Sequence, residues 1–229
     1  LAALSTVQLR GLASSQVAGL TTAQVANLGT AQLAGLASTQ VQGLTTAQIA
    51  NMGTAQVAGL GTAQLNALSS TQVPALTTAQ LAQFSTTQLG GISTAGIKGM
   101  STAQLAALAS TQVPGLTTAQ IAALSTTQLA AMETVDLAAL STTQLRALAS
   151  SQVAGLTTTQ VANLTTTQVA GLASTQLGGL TSAQGAALTT AQLAGLSSAQ
   201  IATLSTNAAR GLTTAAIAAA QHHGLTDPG

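Results

Sequence analysis

Large apolar residues recur along this chain in pairs three positions apart, and the pairs repeat every eight residues. Leu20-Thr21-Thr22-Ala23-Gln24-Val25-Ala26-Asn27 is one copy, and Leu28-Gly29-Thr30-Ala31-Gln32-Leu33-Ala34-Gly35 is the next. The unit runs without insertion from Leu4 to Ala219, giving 27 octads. With Leu4 as position one, that position is Leu in 22 octads and Met52, Phe84, Ile92, Met100 or Met132 in the others. Position six is Val, Leu or Ile in 25, failing only at Gly185 and Ala209. Position three is Ser or Thr in all 27, and position five is Gln in 23. One octad cannot bury its own Leu, so the pattern predicts stacked units that share an apolar stripe.

Two backbones satisfy the pattern. In the preferred one, an all-α solenoid, each octad is a short helix. A hydroxyl at position two or three caps it, and a hydroxyl at two with Gln at five has capping-box spacing. Position six and the following position one lie three apart and share a face. Gly or Asn, which fill position eight in 16 octads, then stop the helix in a left-handed residue. In the alternative, an all-β solenoid, positions three to six are a strand and six to one a tight turn. Val73-Pro74-Ala75-Leu76 and Val113-Pro114-Gly115-Leu116 favour that reading, since Pro-Gly suits a type II turn and Pro removes a helix bond. The uncharged position four also leans that way. Against it, positions one and six have opposite parity, which period-two alternation does not allow. A continuous long helix is excluded by regular Gly and heavy Thr content.

Charge changes the picture by locating water. Charged residues are 3% of the chain and the formal net charge is +1. All four cations, Arg10, Lys98, Arg146 and Arg210, occupy position seven, so that position faces outward. Four scattered cations exclude a nucleic-acid surface, which needs several per footprint. Near-zero net charge leaves little repulsion between copies, so self-association is expected. The low charge does not mean disorder, because 46% of residues are apolar. No cysteine is present for disulfides or thiolate metal sites. The apolar residues are too interrupted for a membrane span.

Residues 1–3 read as a partial repeat, 4–219 as the array and 220–229 as a C-terminal cap or linker. The absence of an initial Met suggests a piece of a longer array. The pattern decays from Asn207, and Thr214 to His222 reads as a longer helix stopped at Gly224. A rhythm of forty residues links Ser69-Ser70-Thr71-Gln72-Val73-Pro74 to Ala109-Ser110-Thr111-Gln112-Val113-Pro114. It reads as duplication of five octads, not as a superhelical turn.

Candidate chemistry is sparse, and no catalytic, cofactor or metal site is expected. Glu133 and Asp136 share one octad and read as drift in one copy, solvent-facing or capping, because acid/base work needs a positioned partner. His222 and His223 are adjacent and point apart, so even with Asp227 nearby they read as a solvated helix end. The hydroxyls at position three have no base to activate them and read as groups that hold backbone. The Gln column reads as a hydrogen-bonding ladder between stacked units, locally broken at Asp136. A flat β-face of Thr could bind ice or a polysaccharide, but only on the alternative backbone.

Leu-Thr-Thr-Ala-Gln-Val-Ala-Asn and Leu-Ser-Thr-Thr-Gln-Leu-Ala-Ala resemble the octapeptide arrays of very large exported bacterial proteins, the adhesion-like exoproteins. The similarity covers Leu4 to Ala219. It implies an extracellular or cell-surface structural role, as a stalk or fibre segment. Leu-Thr-x-x-Gln-Val is also similar to the first helix of transcription-activator-like effector repeats. Those repeats are several times longer and basic, so DNA binding is rejected.

Overall fold

A computed structural model of the chain describes residues 3–212, apart from the side chain of Asn207. The last octad, Leu212–Ala219, and the tail with His222, His223, Gly224 and Asp227 therefore lie essentially outside the described residues. Regular structure within them is helical throughout, with 24 α-helices and two 3-10 helices, one for each octad from Leu4 to Gly211. No strand occurs among the described residues, so the preferred all-α solenoid of short helices is the fold.

The capping box explains why so short a helix forms. In the octad from Leu44, the Gln48 N–H donates to Thr45 Oγ1 at 3.2 Å and the Thr45 N–H donates to Gln48 Oε1 at 2.7 Å. Two orphan donors of the helix start are thereby satisfied within three residues. In the α-helical octads position two is the N-cap and position three is the first helical residue, as in Thr46–Ala50, whereas the two 3-10 helices start at position six. This corrects the expectation that position three holds its own backbone at a cap. One of these hydroxyls, Ser38, reaches another coil instead, donating to Ala63 O at 3.2 Å. Where position two is Ala or Gly, half the box survives: the Ala13 N–H still donates to Gln16 Oε1 at 2.8 Å.

The helix ends also differ from expectation. No described residue has a positive φ, so position eight is not left-handed. Gly35 closes its helix at φ −77°, ψ −14°, and Asn27 closes its own at φ −89°, ψ 0°. The chain leaves through a single tight bond from the next position-one N–H to the position-six carbonyl, as from Leu28 to Val25 at 3.1 Å. Ala can adopt this geometry, which explains its frequency at position eight. Pro74 and Pro114 do not make type II turns. Each lies in a 3-10 helix, Val73–Ala75 or Val113–Gly115, entered through a right-handed residue. A missing N–H is tolerated there at the first helical turn.

The chain divides into two compact units, Leu1–Ala123 and Leu124–Gly229. In the first, helix Thr6–Arg10 packs on Thr30–Ala34 and Ser14–Ala18 on Ser38–Gln42; in the second, Thr126–Ala130 packs on Ser150–Ala154. Each octad thus meets the one three further on. Side-chain bonds between coils join residues 25 to 31 apart, those of the Gln column 28 to 31. A coil therefore holds between three and four octads, and the forty-residue rhythm is indeed not a coil.

Positions one and six line the interior of both units, with Val25, Leu33, Leu65 and Leu137 fully buried. Arg10, Lys98, Arg146 and Arg210 at position seven are exposed, and so is position four, with Val7 at 78%. Position eight has a different role from the one expected. A methyl added to Gly91 would lie 2.9 Å from Thr62 Cβ, and one added to Gly155 would lie 2.8 Å from Thr126 Cβ. Position eight thus presses against position three of the coil before it. Where the approach is that close, as at Gly91 and Gly155, a larger residue has no room.

Candidate functional site

The polar chemistry of the array is concentrated in the Gln column, and nearly all of it is spent on backbone. Gln40 Nε2 donates to Leu9 O at 2.8 Å and to Leu12 O at 2.7 Å. Gln168 repeats this in the second unit, to Leu137 O at 2.9 Å and Leu140 O at 2.7 Å. Oε1 meanwhile accepts the N-cap N–H of its own octad, as from Thr165 at 2.9 Å. One buried amide therefore caps its helix and ties it to the preceding coil. An amide so engaged is uncharged and already bonded at both ends, so it offers little chemistry.

Octads without Gln show how the ladder is kept. At Gly96 and Ala208 the N-cap serine substitutes. Ser93 Oγ accepts the Gly96 N–H at 3.0 Å and donates to Leu68 O at 3.5 Å, a long bond. Ser205 Oγ accepts the Ala208 N–H at 3.1 Å and donates to Leu180 O at 3.2 Å. Leu68 and Leu180 hold position one in the coil before, and theirs are the carbonyls that a Gln amide would have reached. Loss of the apolar residue at Gly185 is also matched: helix Thr206–Gly211, in which Ala208 is buried, packs closely on Ser182–Ala187.

The octad Met132–Ala139 has neither device. Its N-cap is Glu133, whose side chain makes no cap bond. Its position five is Asp136, 1% exposed, with Oδ2 lacking any partner. The solvent-facing reading holds for Glu133, which is exposed, and is corrected for Asp136, which is buried. Asp136 follows the inward path that the octad register imposes, while Glu133 stays exposed but caps nothing. Burial, and then the Glu133 charge, push the Asp136 carboxyl above its ordinary value, against a hydrogen bond from the Glu133 backbone that lowers it. The expected break in the ladder falls at this octad.

One shallow depression of about 580 Å³ opens in the first unit, lined by Ser38, Gln42, Thr62, Asn66, Gly90 and Gly91. Gln42, Asn66 and Gly90 all occupy position seven, in octads three apart that stack on one another. That position is usually Ala, so this column differs from the rest of the surface. The groove is uncharged, with two carboxamides and two hydroxyls. The outward face of position seven, read from its cations, places Gln42 and Asn66 on the surface but not beside each other, because the three-octad step is a tertiary fact. No group of three or more His, Cys, Asp or Glu side chains that could hold a metal occurs among the described residues. No helix among them is long and apolar enough to cross a membrane.

Comparison with known families places the octads in context. A family model described as the ALTTAQ repeat matches residues 1–30, 49–78, 81–118, 102–132 and 129–166. Together these cover more than half of the chain. No curated protein matches the chain.

Proposed function

The chain belongs to the ALTTAQ repeat family, and from that premise we propose a non-enzymatic structural module, a stalk or fibre segment of an exported bacterial surface protein. The observation that carries this reading is the use of the Gln amide. In octad after octad the one polar side chain of the core is consumed by its own cap and the preceding coil, as at Gln80 and Gln192. A scaffold that spends its polar groups on itself has length and stiffness to offer. Low charge leaves copies free to associate side by side or end to end. Electron micrographs of concentrated protein should show fibres or lateral bundles; dispersed monomers would remove the assembly part of the proposal. Fractionation of producing cells should place the protein outside the cell or on its surface, and a wholly cytosolic pool would remove the export part.

A second reading has one observation in its favour, the uncharged groove at Gln42 and Asn66. Carboxamides and hydroxyls suit a neutral polyhydroxyl chain, so the groove supports a polysaccharide ligand. The flat Thr face expected to hold ice or a polysaccharide loses its basis with the β-solenoid, and the groove is a different site. Retention on cellulose or chitin that is lost in a Gln42→Ala, Asn66→Ala double variant would support this reading. No retention of the parent protein would end it.

A further inference from the structure

The Met132–Ala139 octad lacks both donors that the array uses at this level, the Gln amide and the N-cap serine hydroxyl. What it has instead is a buried carboxyl in the Gln position. Elsewhere Gln uses one atom to accept the N-cap N–H and the other to donate. Asp136 retains the accepting half, through its hydrogen bond from the Glu133 backbone. Its other oxygen, Oδ2, is buried and unpartnered. A carboxylate is an acceptor only, whereas a carboxylic acid has one acceptor and one donor and so matches a carboxamide group for group.

We propose that Asp136 is a proton-dependent stand-in for glutamine, and that its octad is more stable when the buried, unpartnered Oδ2 is protonated than when it is not. The proton comes from solvent and returns to it. Glu133 is the charged group that acts on the site, and it favours the protonated form. Helix Thr158–Asn163, which packs on Thr134–Ala139, carries no titratable side chain. The other charged residues described, Arg10, Lys98, Arg146 and Arg210, all sit at the outward position seven. With its carboxyl raised in the fold, the native state holds the proton more tightly than the unfolded chain does. The group's contribution to stability is therefore fullest below the ordinary Asp value, about 3.9. It falls as pH rises through the folded value.

The test uses the whole chain, which contains only two aspartates, Asp136 and Asp227. Carbon NMR of the side-chain carboxyls should show one Asp titrating above the ordinary value, with that resonance absent from Asp136→Asn. Wild-type melting temperature should fall as pH is raised through that same range, and Asp136→Gln should show no such fall. Glu133→Gln should move the Asp136 midpoint down. A carboxyl that titrates at or below the ordinary value would overturn the proposal, even if the variants fail to fold. So would a melting profile in Asp136→Gln that keeps the wild-type fall.

Discussion

Within each octad the residue that matters most is the Gln at position five, because it works in two directions. Gln168 caps Thr166–Ala170 through Oε1 and holds the carbonyls of Leu137, Ala138 and Leu140 through Nε2. Gln168→Leu keeps the apolar bulk but leaves buried backbone groups unpaired. An unsatisfied buried group costs about 1–3 kcal/mol, and a loss of that size should appear in denaturant unfolding. Hydrogen exchange should rise most in Gln168's own octad, where the cap is lost. The capping-box spacing of this residue was legible from Thr-x-x-Gln alone, since both partners lie within three residues. The ladder partners were not, because a carbonyl on the preceding coil leaves no local mark.

The element is a single helical turn that starts at position two and ends in right-handed geometry at position eight. Its stacking surface is the contact of position eight with position three of the previous coil. Gly91→Val should therefore push against Thr62 and cost about 1–3 kcal/mol, the usual range for overpacking. Thr62→Gly, which removes the Cβ that the new side chain meets first, should recover part of that loss in a double-mutant cycle, and an additive cycle would disprove the contact. Gly at this position reads in sequence as a left-handed stop, the commonest reason for Gly after a helix. The stacked coils show the other reason, which is lack of room. In the same way Pro74 suggested a turn, yet the short helix accepts it because the first helical turn leaves an N–H orphaned anyway.

For the whole molecule, the eight-residue register is what allows coils to repeat. Bonds between positions 28 to 31 apart match only if every octad keeps its length. Excision of Leu44–Asn51 should leave a cooperative helical protein of slightly lower stability, as expected when stability sums over units and interfaces. Excision of only Leu44–Ala47 puts position five against the wrong carbonyls, and should cost far more of the thermal transition and of the helical circular dichroism signal. Equal effects from the two deletions would mean that register does not hold the coils together.

The sequence by itself determined the octad, its buried pair at positions six and one, and its wet face at position seven, and it favoured the helical form without closing the β-solenoid. These follow from apolar spacing, from a capping box closed within three residues, and from the cost of burying a charge. Only the tertiary structure decided how many octads make a coil, which hydroxyl caps, why position eight is small, and that Asp136 is sealed from water. Each of those depends on which residues meet across coils. Identical octads carry no sequence mark of their partners, so packing and long-range hydrogen bonds make the choice.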